Sequence, residues 1–163
     1  MVSNEEILVN KRNGRGKEAL QIDKIHAMVG FATDGITGVS ASHVEMNSGI
    51  QLFDGISTAD IQQILIKSAN DLITLENPNY QYVAARLLLF SLRKQLFHRL
   101  WDHPKLIDHI KKLIDMGLYD KDILVNYDES EIDRMNMWID HERDYNFTYA
   151  GLRQVMDKYL VQD

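Results

Sequence analysis

Apolar and polar positions along the first hundred residues sort into one short alternating stretch followed by four helical stripes. Ile7 to Lys11 and Glu18 to Ile22 read as two short strands. Asn13-Gly14 between them is a strong turn signal, because both residues tolerate positive φ. Arg15-Gly16-Lys17 make the connection longer than a two-residue turn. A first helix is expected from about Asp23, with Ile25, Met28, Val29 and Ala32 on one face and Gly35 as its stop. A second is expected near Ser42, where "SHVE" has capping-box spacing. The third has the clearest pattern. Ser57 or Thr58 can cap it, and Ile61, Ile64, Leu65, Ser68, Ala69, Leu72 and Ile73 form an apolar stripe with one small polar member. The fourth enters at Pro78, and Val83 to Leu92 is apolar nearly all round, which predicts a buried central helix.

The pattern changes in "HRLWDHP", a plausible domain boundary. Pro104 to Met116 is amphipathic through Leu106, Ile107, Ile110, Leu113 and Ile114, and Gly117 stops it. "DESEIDRMNMWIDHERD" and "TYAGLRQVMDKYL" read as two more helices. The expected fold is mainly α with a small N-terminal β-hairpin. The hairpin and four helices occupy residues 1–98, and a helical segment occupies residues 99–163.

Composition narrows the function. The chain has 24 acidic against 18 basic side chains and a formal charge of -6, which argues against a broad non-specific nucleic-acid surface. It has no cysteine, so disulfides, thiol catalysis and cysteine metal sites are excluded within it. There is no apolar run of membrane-spanning length and no signal region at the N-terminus, so the expected location is the cytoplasm.

Against this acidic background, Lys11, Arg12, Arg15 and Lys17 crowd the hairpin turn, and Lys24 follows. Thr58 and Asp60 lie at the start of the third helix, and Arg93 and Lys94 end the fourth. A helix N-terminus suits phosphate, and Lys or Arg adds charge-assisted hydrogen bonds. Glu18 and Gln21 are placed to read a base edge, with Val9 and Ile25 against its faces. Spacing alone leaves two readings open: a nucleotide site, or a solvated hairpin tip.

The runs "VNKRNGRGKEALQIDKIH", "FDGISTADIQQILIKSANDLI" and "PNYQYVAARLLLFSLRK" resemble the ATP-cone domain of ribonucleotide reductase large chains. "LIDHIKKLIDMGLYD", "IDHERDYNFTYA" and "KYLVQ" resemble the segment that follows the cone in class Ia large chains of the bacterial and phage type. The resemblance implies ATP or dATP as an allosteric effector of overall activity, with magnesium as a candidate companion and no cofactor in this chain. The matching phosphate-contacting positions are Lys11, Arg12, Lys24, Thr58 and Lys94. Glu18 and Gln21 match the base-reading positions, and Val9, Ile25 and Ile61 match the apolar walls. Gln21 stands where several relatives carry Asn, Gln62 stands where bacterial relatives carry His, and Gly16 adds a residue to the turn.

In that family, catalysis uses a cysteine thiyl radical and a redox-active cysteine pair in a barrel further along the chain. The expectation is therefore a regulatory piece that is not catalytic alone. Its implied partners are the remainder of the large chain and the reductase small subunit, with neither DNA nor membrane. Cones also occur in a transcriptional repressor of reductase genes, but that protein needs a cysteine zinc ribbon, which is absent here. A degenerate cone serving only subunit assembly is the alternative.

Other conspicuous residues have plainer expectations. The "DHERD" run, Asp140 to Asp144, is read as structural ion pairing and capping, and His98, His103 and His109 as surface or packing residues. Trp101 and Trp138 are expected to anchor a neighbouring domain, Met135 and Met137 to pack, and Tyr80 and Tyr82 to sit in the core.

Overall fold

The computed structural model describes residues 7–14, 16–49, 53–100 and 102–160. Arg15 and Trp101, both singled out above, lie outside the described residues. The chain divides into two compact units, Met1–Leu92 with Tyr145–Asp163, and Arg93–Asp144. The division falls inside the fourth helix, and it assigns the last helix to the first unit.

In the first unit, β1 (Leu8–Asn10) pairs antiparallel with β2 (Lys17–Ala19), with Val9 opposite Glu18. The turn closes when the Lys11 amide donates to the Gly16 carbonyl at 2.9 Å. Gly14 and Gly16 hold φ of 65° and 95°, conformations that favour glycine. The second strand is shorter than expected. It ends at Ala19, and α1 (Ile22–Thr33) starts at the residue where the strand was expected to finish. Val29 and Ala32 are buried on the predicted face of α1.

Helix α2 (Ala41–Ser48) corrects one expectation. Its N-cap is Ser40, with no side-chain cap bond, so Ser42 lies within the helix and "SHVE" makes no capping box. In α3 (Thr58–Asp71), Ser57 caps by accepting from the Asp60 amide at 3.0 Å. The polar member of its stripe, Ser68, is buried but satisfied, donating to the Val44 carbonyl at 2.6 Å. Helix α4 (Tyr80–Phe97) is the buried centre, as its composition predicts. From Val83 to Phe90 only Arg86 is not fully buried. Arg86 donates to the Asp34 carbonyl at 2.6 Å, which places a cation at the C-terminal end of α1, where the helix dipole favours one. Tyr80 is core, with its hydroxyl accepting from the Ser40 amide at 3.1 Å.

In the second unit, α5 (Leu106–Asp115), the short α6 (Ile123–Asn126) and α7 (Glu129–Asn136) surround Ile107, Ile110 and Ile132. Helix α6 was not anticipated. A capping box does form here, with Asp128 and Glu131 at the start of α7. The helix expected across "DESEIDRMNMWIDHERD" stops at Asn136, whose side-chain oxygen accepts from the Leu106 amide at 2.8 Å. His141–Asn146 form a separate 3-10 turn. Met137 and Trp138 are 75% and 78% exposed, so Met137 does not pack as expected. The final helix, α8 (Tyr149–Lys158), belongs to the first unit, where it buries Leu152.

Arg93 is the main surprise among the cations. It is buried and bonded to Asp144 at 2.9 Å, so it faces a carboxylate of the "DHERD" run rather than an anion site. His103 stacks on His141 with ring centres 3.7 Å apart, and Phe97 meets both His103 and His109 edge-on.

These contacts predict opposite histidine titrations. Burial, then Arg93 and His141, lower the pKa of His103, against smaller opposing effects of Asp144 and Asp102. Burial, then Lys112, lowers that of His109. Stability that rests on these two being neutral is present above the ordinary histidine value of about 6.5 and falls as pH drops through it. His26 on α1 is raised instead, first by its hydrogen bond to Glu45 and then by that residue's charge. Its contribution is complete below about 6.5 and is lost as pH rises through the raised folded value. NMR titration of the imidazole protons should give a midpoint above 6.5 for His26 and below it for His103 and His109.

Candidate functional site

The hairpin and the start of α3 are joined by backbone pairing. Residues 54–57 run along the outer side of β1. The Gly55 amide donates to the Leu8 carbonyl at 2.8 Å, and the Asn10 amide donates to the Ile56 carbonyl at 3.0 Å. A parallel bridge links Asn10 to Ser57, and the Asn10 side-chain amide adds a bond to the Gly55 carbonyl. Gly55 adopts φ of 89° where this segment turns toward the strand. The result is to set the first turn of α3 beside the hairpin tip.

There the Arg12 amide donates to the Thr58 hydroxyl oxygen at 3.2 Å, across 46 residues of sequence. Because that oxygen is an acceptor here, the Thr58 proton is available to donate to an anion. Ser57 caps the Asp60 amide, and the first turn of α3 carries the partial positive charge of a helix N-terminus, which favours an anion. The Arg12 guanidinium reaches α4, where Nη1 donates to the Ser91 carbonyl at 2.9 Å and Nη2 to the Ser91 hydroxyl at 3.3 Å. Burial of this side chain lowers its pKa, as desolvation does to a cation.

The remaining predicted residues are distributed as follows. Lys11 pairs with Glu18 at 3.0 Å, so the residue expected to hold phosphate and the one expected to read the base engage each other. Gln21 is exposed and stands at the N-cap of α1, with Lys24 exposed in its first turn. Ile25 is half-buried, while Val9 and Ile61 lie in the core. Lys94 is in the last turn of α4, in the second unit. Gln62 is 2% exposed and donates to the Leu87 carbonyl at 2.9 Å, so it acts as a core contact between α3 and α4.

Ser91 was missed in the sequence. The signal available was a lone hydroxyl on an otherwise apolar face, which must find a partner when buried. A separate polar cleft involves Thr37, Tyr82, Arg86 and Tyr145, and none of the nucleotide candidates lines it. The convergence of chemistry at the hairpin carries more weight than that open concavity. Among the described residues, no group of three or more His, Cys, Asp or Glu is placed to hold a metal ion.

A family model for the ATP cone domain matches residues 7–95, the span of the hairpin and helices α1–α4 up to the last turn of α4. The chain belongs to the ATP-cone family. The cone is also similar to longer proteins. The whole chain is 46% identical over 160 residues to ribonucleoside-diphosphate reductase 1 subunit alpha of Escherichia coli strain K12, covering 98% of this chain and 21% of that protein. The subunit alpha of Enterobacteria phage T4 is 40% identical over 157 residues, with 96% and 21% covered. The chain therefore spans about a fifth of the length of these relatives. No helix among the described residues is long and apolar enough to cross a membrane.

Proposed function

We propose that this cone binds ATP or dATP at the hairpin and the start of α3, and regulates the overall activity of a ribonucleoside-diphosphate reductase large chain. The observation that carries the reading is the bond between the Arg12 amide and the Thr58 hydroxyl, since it brings two distant phosphate candidates together. Lys11, Arg12, Lys24, Thr58 and Lys94 hold the phosphates. Glu18 and Gln21 read the base, and Val9, Ile25 and Ile61 form the apolar wall. The remainder of the large chain and the small subunit are the proposed partners in deoxyribonucleotide synthesis, in the cytoplasm.

The regulation is a shift between quaternary states, which a ligand drives only through its differential affinity for them. ATP and dATP differ by one hydroxyl, and one hydrogen bond is worth about 1 kcal/mol net. Subunit contacts must therefore amplify a small local difference. The Lys11–Glu18 pair favours a second reading, a cone whose site is closed on itself and serves assembly alone.

Calorimetric titration with ATP and dATP separates the two. Heat of binding, with a raised melting temperature, is the expected result, while no response at millimolar nucleotide eliminates the effector role. Lys94→Ala should weaken ATP binding by about tenfold, the loss of one charge-assisted contact. Undiminished affinity would remove Lys94 from the site.

A further inference from the structure

We propose that Ser91 is a positioning residue for Arg12, fixing the guanidinium so that its remaining donors can receive a phosphate. The inference rests on the effector reading above and extends it to a residue outside the set derived from the sequence.

The stereochemistry of the contact carries the argument. A guanidinium has five N–H donors in a rigid plane. Ser91 takes one from each Nη, at 2.9 Å through its carbonyl and 3.3 Å through its hydroxyl. The Nε–H and the second hydrogen on each Nη are left over. Nε–H and its neighbouring Nη–H form a side edge that matches two oxygens of a phosphate. Gripping the end of the fork thus fixes its plane without consuming the side edge.

The surroundings agree. Ser91 is 7% exposed on α4, where its neighbours Leu87, Leu88 and Phe90 are buried apolar residues. Packing alone asks for no hydroxyl there. The backbone of Arg12 is fixed independently at Thr58, so both ends of the residue are held. An arginine whose rotamer is set beforehand loses less freedom when the anion arrives. A dock that merely competed with phosphate would have the opposite consequence, since its removal would strengthen binding.

The test uses the full chain and ATP as the probe. Titrations compare the parent protein with Ser91→Ala, Ser91→Thr, Arg12→Ala and the Arg12→Ala/Ser91→Ala double variant. Ser91→Ala should weaken ATP binding about three- to tenfold, Ser91→Thr should restore it, and Ser91→Ala should add nothing once Arg12 is alanine. A second readout needs no nucleotide. The Arg12 Nε–H NMR resonance, assigned by its loss in Arg12→Lys, should be resolved and slowly exchanging in the parent and should join the exposed arginines in Ser91→Ala. ATP affinity that is unchanged or raised in Ser91→Ala overturns the proposal, as does an equal loss in the Arg12→Ala background. A parent chain that binds no ATP overturns the effector reading and this proposal with it. The Nε–H signal then shows whether the fork persists as a structural contact alone.

Discussion

Phe90→Ala is expected to destabilise the first unit by about 3–5 kcal/mol, the usual range for deleting a buried phenyl ring. Phe90 is 1% exposed in the middle of α4. Its ring lies 5.9 Å from that of Phe31 and 6.5 Å from that of Tyr145, and these two are 6.4 Å apart. Truncation therefore removes apolar burial, leaves a cavity, and breaks two aromatic pairs that contribute about 0.5–1.5 kcal/mol each beyond their area. The neighbours come from the end of α1 and from the 3-10 turn, which cannot collapse into the gap without moving backbone. Urea unfolding followed by circular dichroism measures the loss, and Phe90→Leu should cost much less. A loss under about 1 kcal/mol would mean that α4 does not organise this core.

Asp144→Ala should be the next largest effect, with the second unit losing about 2–3 kcal/mol. Removing one member of a fully buried pair costs about 3–5 kcal/mol, because a charge is stranded away from water. The Arg93 side chain is 4% exposed but that of Asp144 is 37%, so water already weakens the pair and the lower figure applies. The double variant Arg93→Met/Asp144→Ala should recover most of the loss, because no buried charge remains. Hydrogen exchange of amides in α5 and α7 reports on this unit. A double variant as unstable as Asp144→Ala would show that the stranded charge is not the cause.

Arg93 also marks a limit of sequence reading. Local pattern placed it correctly on α4, beside Lys94, and that adjacency suggested a shared basic role. Its burial depends on Asp144, 51 residues later, and no local pattern encodes such a pairing. The elements that read well are those whose signals are local: the Asn13-Gly14 turn, the Ser57 cap and the all-round apolar run of α4. The cap of α2 read badly because Ser40 and Ser42 are both plausible starts, and only the chain path chooses between them. The break after Asn136 read badly because it depends on a bond to Leu106 on another helix. In the candidate site, the identities of the charged residues were legible. The bonds that engage them were not, because Lys11 with Glu18 and Arg12 with Ser91 depend on register and on packing across 79 residues.

The pairing of residues 54–57 with β1 also protects the protein from unwanted association. An isolated two-stranded hairpin is marginally stable in water and offers two unpaired edges to other chains. Here one edge is closed by Gly55 and Ile56, whose backbone groups bond to Leu8 and Asn10. The other strand, β2, carries Lys17 and Glu18, and charges on an edge strand discourage the addition of a further strand. The same arrangement that brings Thr58 to Arg12 therefore leaves the hairpin a poor template for aggregation.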